Sequence, residues 1–249
     1  MPPADASAHA LAARLLPLLD LTSLGEDDSP ARIEALCARA RAQGLPAALC
    51  VYPEHVTTAR RALTGTAVKI ATVVNFPDGG CDAARAERET RRALAAGADE
   101  IDLVLPWAAY CRGEAAAARA VVHAARRACG TTHALKLILE TGELATAERI
   151  RAAAQLGIDA GVDFLKTSTG KVAVNATPEA AQAVLEVIAA NGGRCGFKAA
   201  GGIRRLDDAA VYLQLARERL GDAWITPAHF RIGASALYDE LAPLAAEGA

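Results

Sequence analysis

The stretch Val162 to Asn175, VDFLKTSTGKVAVN, runs from an apolar segment interrupted by Asp163, through a lysine, into a turn of hydroxyls and glycine. Lys166 stands where the apolar run ends, and Thr167, Ser168, Thr169, Gly170 and Lys171 follow. A lysine at the end of a buried strand can be desolvated, which disfavours its protonated form and frees the amine as a nucleophile. The turn behind it can offer backbone N–H groups to an anion. A snorkelling lysine followed by a polar loop is the plainer alternative. The residue count bears on that choice. Of the 27 Lys and Arg, five are Lys: Lys69, Lys136, Lys166, Lys171 and Lys198. Lysine can lose its proton in a protein site and form a Schiff base, whereas arginine cannot. Three of the five lie in or at the end of apolar runs, ALKLIL (Lys136), VDFLK (Lys166) and CGFK (Lys198).

These residues need a frame. Short apolar, β-branched runs alternate with longer Ala/Arg/Glu/Leu stretches of helical spacing, the pattern of βα units around a parallel sheet. The runs predict strands at Leu18 to Leu24, Ala47 to Tyr52, Val68 to Phe76 and Asp99 to Pro106. Further runs are His133 to Gly142, Val162 to Lys166, Cys195 to Gly202 with its loop, and His229 to Ser235. An amphipathic N-terminal helix precedes them. Ser29-Pro30 and Thr177-Pro178 read as helix starts, with a hydroxyl N-cap and proline at the first helical position. The segment after Pro106 reads as one long helix through Cys129, and others are expected over Thr146 to Ala160 and Leu206 to Leu220. Eight strand–helix units in 249 residues fit a single (β/α)8 TIM barrel spanning residues 1–249, with an extra N-terminal helix. An open doubly wound sheet would usually have fewer strands and a GxGxxG turn after the first.

Composition narrows the function classes. A net charge of −2 with 22% charged residues gives neither a nucleic-acid footprint nor a polybasic membrane patch. No apolar run is long enough to span a bilayer, and the N-terminus lacks the basic region and cleavage site of a signal peptide. The six cysteines show no CxxC or zinc spacing and read as free thiols in a reducing compartment, so a cytoplasmic protein is expected. The five histidines show no ligand spacing, and no metal is expected.

In such a barrel, chemistry sits at the C-terminal ends of the strands. Polar residues in or ending the runs are Asp20, Cys50, Asn75, Asp102, Lys136, Lys166, Lys198 and Arg231. Charges inside a barrel are costly unless paired or used. Asp102, Lys136, Lys166 and Lys198 are expected to form one buried cluster, either as structural ion bridges or for Schiff-base chemistry. For the latter, one lysine must be neutral, a neighbouring cation lowers its pKa, and Asp102 can carry protons. Spacing does not say which lysine is the nucleophile. Three turns follow the sixth to eighth strands: Thr169-Gly170-Lys171, Gly201-Gly202 and Gly233-Ala234-Ser235. Loops there, with a helix N-terminus behind them, hold phosphate in many barrels. Cys50 reads as a small core residue.

The segments LLDLTSL, ALCVYP, ATVVNFPDG, GADEIDLVLP, LKLILETGEL, GVDFLKTSTGKVAVNATPE, GFKAAGGIR and RIGAS resemble, in order, those of the 2-deoxyribose-5-phosphate aldolase family of class I aldolases. The resemblance implies a (β/α)8 barrel. It also implies reversible cleavage of 2-deoxy-D-ribose 5-phosphate to D-glyceraldehyde 3-phosphate and acetaldehyde, in deoxyribose phosphate catabolism, with no metal or organic cofactor. Carried over by position, it makes Lys166 the Schiff-base lysine, Lys198 the neighbour that keeps it deprotonated and Asp102 the proton relay. Asp20, Cys50, Thr169 and Lys171 would line the substrate site. Phosphate would rest on Gly170, Lys171, Gly201, Gly202, Gly233 and Ser235. The expected partners are the sugar phosphate and acetaldehyde, with no nucleic acid or membrane; a homodimer is compatible with the sequence, which does not fix an oligomeric state. The chain departs from some relatives in having one serine after Gly233-Ala234, FKAAGG in place of FKPAGG, and no terminal tyrosine, its last being Tyr238. Another lysine aldolase with a ketone or keto-acid donor, and a non-catalytic sugar-phosphate sensor, are the rival readings.

Overall fold

The computed structural model describes residues 4–247, so the last two residues of the AAEGA terminus lie outside it. Eight strands close in chain order into a parallel barrel. They are β1 (Leu19–Ser23), β2 (Ala48–Val51), β3 (Lys69–Val74), β4 (Glu100–Val104), β5 (Ala134–Ile138), β6 (Phe164–Lys166), β7 (Gly196–Ala200) and β8 (Phe230–Ala234). Side chains alternate between barrel interior and exterior with period two. Leu19, Leu21, Leu49, Ile70, Ile101, Leu103, Leu137 and Leu165 join the main core shared with the helices. The interior is divided. On β2 and β3 it is a small apolar cluster of Ala48, Cys50, Ala71 and Val73. On β1 and β4 to β8 it is charged, where a barrel interior is ordinarily branched aliphatic.

The helices start where the sequence marks them. Ser29 accepts from the Arg32 N–H at 3.4 Å, Thr146 from Arg149 at 3.3 Å and Thr177 from Ala180 at 3.2 Å. Each such cap is worth about 1 kcal/mol. The N-terminal helix Ala4–Leu15 packs against the last helix, Leu237–Glu247. Asp163, the polar residue in the sixth apolar run, accepts from the Leu135 N–H and from Arg126, both at 2.7 Å, and so ties the start of β6 to β5.

Two segments differ from the sequence reading. The helix expected through Cys129 is two, Trp107–Cys111 and Ala115–Cys129, broken at Gly113 with φ +90°. The strand expected to reach Gly142 stops at Ile138, because Glu140 takes a left-handed backbone, φ +58°, and Thr141–Leu144 forms a helical turn. Among the described residues, no helix is long and apolar enough to cross a membrane.

Candidate active site

Inward-facing charges from six strands meet in one buried cage. Asp102 Oδ2 contacts Lys166 Nζ and Lys198 Nζ, both at 2.8 Å, while its Oδ1 holds Lys136 Nζ at 2.9 Å. Lys198 also reaches Asp20 Oδ2 at 2.5 Å. Lys136 reaches Glu100 Oε2 at 2.5 Å and Asp20 Oδ2 at 3.4 Å. Arg231 completes the cage with Asp20 Oδ1 at 2.6 Å and Glu100 Oε1 at 3.1 Å, and its guanidinium lies over the Phe164 ring.

The cage ranks the three lysines. Lys136 has three carboxylate partners, Lys198 two and Lys166 one. Burial disfavours the ammonium form of each. For Lys136 the carboxylates of Asp102, Glu100 and Asp20 outweigh burial and hold its pKa well above the usual lysine value. Asp102 and Asp20 do the same for Lys198. For Lys166 burial wins: the single contact with Asp102 opposes it, the charge of Lys198 reinforces it, and the pKa is lowered. Asp102 and Asp20 are pushed up by burial, but the surrounding cations prevail and keep both carboxyls ionised far below their usual range. With Lys166 protonated the cage has four cations against three carboxylates, so loss of one proton balances it. Lys166 is the lysine placed to lose it.

Above the cage lies a cavity of about 520 Å³, and of the three caged lysines only Lys166 lines it. Thr169, Gly170, Lys171, Gly201, Gly202, Gly233 and Ser235 line it as well, so these residues come together as the sequence led us to expect. Asp20 and Cys50, expected to line the substrate site, are not among the residues that line this cavity. Both are fully buried below the floor. On β1 the residues that line the cavity are Thr22, one alternation further along, and Ser23 at the strand end, and Asp20 serves the cage instead. Cys50 packs with Ala48, Ala71 and Val73, and burial pushes its thiol above the usual cysteine value.

The cavity wall is basic. Arg32 and Arg204 join Lys171 in the lining, and neither arginine was picked out in the sequence, although Arg204 follows the Gly201-Gly202 pair by two residues. The one carboxylate in the lining, Asp28, accepts from Ser23 Oγ at 2.9 Å and from the Gly25 N–H at 3.1 Å. Lys171 Nζ donates to the Leu24 carbonyl at 2.7 Å, joining the loop after β6 to the loop after β1. A concave site with excess positive charge attracts a phosphorylated molecule. Two further carboxylates escaped the sequence reading: Glu100 in the cage, and Glu140. Glu140 accepts from Thr169 Oγ1 at 2.6 Å and from the Thr169 N–H at 3.1 Å. Burial raises its pKa, opposed by those two bonds and by the charge of Lys166.

Close approach bears on two of the glycines that line the cavity. A Cβ on Gly233 would lie 2.9 Å from Lys198 Cε and 3.0 Å from the Ala200 Cβ. A Cβ on Gly201 would lie 2.7 Å from the Asn175 Cβ, at φ +92°. Gly233 therefore leaves room for the Lys198 side chain, besides lining the cavity. Gly233→Ala is expected to cost about 1–3 kcal/mol through overpacking and to displace the Lys198 ammonium. The checks are thermal unfolding and the pH dependence of activity, which should move to higher pH.

A parallel barrel that holds a cavity-facing lysine of lowered pKa beside a carboxylate and a second lysine defines a class of enzyme that can act on carbonyl compounds through an amine. The chain belongs to the DeoC/LacD family of aldolases, whose pattern matches residues 15–237, and it is therefore a lyase. It is 46% identical over 239 residues to the deoxyribose-phosphate aldolase of Agrobacterium fabrum, covering 95% of this chain and 92% of that protein. A crystal structure of a candidate deoxyribose-phosphate aldolase from Coccidioides immitis superposes with a TM-score of 0.82 at 29% identity, covering 92% of this chain and 85% of that one. One from Toxoplasma gondii, at 24% identity, shares the fold with a TM-score of 0.89 over 99% of this chain and 98% of its own.

Proposed function

We propose that this aldolase reversibly cleaves 2-deoxy-D-ribose 5-phosphate to D-glyceraldehyde 3-phosphate and acetaldehyde, with Lys166 as the Schiff-base lysine. The observation that carries this is the position of Lys166: it has the fewest carboxylate partners of the three caged lysines and is the one that faces the cavity. Its neutral amine attacks C1 of the open-chain sugar, and loss of water gives an iminium. The C2–C3 bond breaks, its electron pair passes to the iminium as an enamine, and the C3 hydroxyl releases its proton as the new aldehyde leaves. Protonation of the enamine at C2 and addition of water release acetaldehyde and restore the amine. Asp102, in contact with both Lys166 and Lys198, is the proton carrier through these steps.

Phosphate rests on the Gly170, Gly201-Gly202 and Gly233 to Ser235 turns, with Lys171 and Arg204 on the same wall. A Cβ at Gly170 or Gly202 would meet no atom within 4 Å, so both turns leave open space for an anion. Tyr238 takes no part in proton transfer: its hydroxyl donates to the Gly44 carbonyl at 2.9 Å, and Arg39 lies over its ring. We place this breakdown of deoxyribose phosphate in the cytoplasm, a compartment that suits six unpaired cysteines.

Incubation with acetaldehyde and borohydride, followed by digestion and mass spectrometry, is expected to place a two-carbon group on Lys166. An adduct on Lys198 or Lys136 would keep the chemistry and overturn the assignment of the nucleophile. Trapping of a ketone or keto acid in place of acetaldehyde would overturn the substrate.

A further inference from the structure

Glu140 has no part in the scheme above, yet it is a fully buried carboxylate two residues beyond the end of β5. Its backbone is left-handed, φ +58°, a conformation that costs a non-glycine residue energy and concentrates at functional sites. Both of its oxygens are committed to one residue. Oε1 accepts from the Thr169 N–H at 3.1 Å, and Oε2 accepts from the Thr169 hydroxyl at 2.6 Å. The Lys171 N–H donates to that same hydroxyl oxygen at 3.0 Å.

A hydroxyl has one proton and two lone pairs. The Thr169 proton is held by Glu140, and one lone pair is held by Lys171. One lone pair remains, on a residue that lines the cavity together with Lys166. We propose that Glu140 is a positioning residue that fixes the polarity of Thr169, so that the hydroxyl can only accept from the substrate and the site selects a substrate hydroxyl that donates. The inference rests on the aldolase reading above. In the chain Thr169 stands between Lys166 and the Gly170-Lys171 turn. Thr169 lines the cavity with both Lys166 and Gly170-Lys171, so on the phosphate placement proposed above the hydroxyl it reads is one between the reacting carbon and the phosphate. In the synthetic direction that is the 2-hydroxyl of D-glyceraldehyde 3-phosphate.

The nearly isosteric Glu140→Gln separates this role from packing. An amide has one acceptor and one pair of donors. Its oxygen turns to the Thr169 N–H, because the opposite orientation would bring two buried donors face to face. Its NH₂ then donates to Thr169 Oγ1, and the Thr169 proton is freed toward the cavity. The probes are D-glyceraldehyde 3-phosphate and its 2-deoxy-2-fluoro analogue, which can accept but not donate at that carbon. Each is condensed with acetaldehyde, and kcat/KM is measured for both. The ratio of hydroxy to fluoro aldehyde is expected to be about tenfold lower in Glu140→Gln than in the parent enzyme, the worth of one hydrogen bond of this kind. Comparing ratios between the two proteins cancels the intrinsic reactivity of the aldehydes. A merely structural Glu140 lowers both rates together and leaves the ratio unchanged, which would overturn the proposal.

Thr169→Val gives a second measurement should the glutamine variant fold poorly. It removes the hydroxyl and is expected to abolish the preference, and a preserved ratio would overturn the assignment of Thr169 as the reader. Acetaldehyde trapping is run on the same preparations. A parent enzyme that traps no acetaldehyde overturns the aldolase reading and this inference with it. One that traps normally while the ratio stays fixed overturns the role of Glu140 alone.

Discussion

Lys166→Arg is expected to remove cleavage of 2-deoxy-D-ribose 5-phosphate almost entirely, by about 10⁵-fold or more, while the barrel stays folded. Enzymatic rate enhancements begin at about 10⁶, and in the proposed mechanism the covalent route carries the reaction. Arginine keeps a cation beside Asp102, so the carboxylate 2.8 Å from Lys166 Nζ is not stranded. The longer side chain extends into the cavity of about 520 Å³ that Lys166 already faces. What arginine cannot do is lose a proton and form an imine. The measurements are turnover, borohydride trapping and circular dichroism of the same preparation. Turnover within a hundredfold of the parent enzyme, with a native spectrum, would remove Lys166 as the nucleophile.

Lys198→Leu has the second largest expected effect, and it acts through pH. In the proposed mechanism Lys166 attacks only as the free amine, above its pKa. That pKa is lowered first by burial and then by the charge of Lys198, against the pull of Asp102. Without Lys198 the cage holds three cations and three carboxylates with Lys166 protonated, so the ammonium form is favoured. The rising limb of kcat/KM against pH is expected to move upward. Each unit of that shift costs about tenfold in free amine at any pH on the limb. Asp20 keeps Arg231 at 2.6 Å and Lys136 at 3.4 Å, so no carboxylate is left without a partner. A full pH profile in parent and variant is the check. Reduced turnover with an unmoved limb would mean that Lys198 serves proton transfer but not the poise of Lys166.

The barrel was legible in the sequence because each strand's outward face packs under helices and is apolar. Leu19 and Leu21, or Leu135 and Leu137, mark their strands without ambiguity. The same alternation makes Lys136 and Lys198 conspicuous. Depth along the barrel was not legible. Asp20 and Thr22 both lie on β1, and only the closed sheet shows that Asp20 is in the cage and Thr22 in the cavity. Glu100 was missed although it falls inside the strand predicted over Asp99 to Pro106 and stands two residues before Asp102 on the same face of β4. Glu140 was hidden for another reason. Its role depends on a left-handed backbone and on a residue 29 positions further along the chain. The order among the lysines follows from how many carboxylates surround each, a count that appears only once six strands converge.

The unequal charge count of the cage also governs how long an aldehyde stays attached. An iminium on Lys166 carries the same positive charge as its ammonium and meets the same surplus of cations. Surroundings that discourage one discourage the other, so the adduct is electrophilic and water removes it readily. On this account the first bond forms with some difficulty and breaks with ease. On the proposed mechanism, small aldehydes that cannot complete the reaction are then hydrolysed back off the lysine and do not foul it.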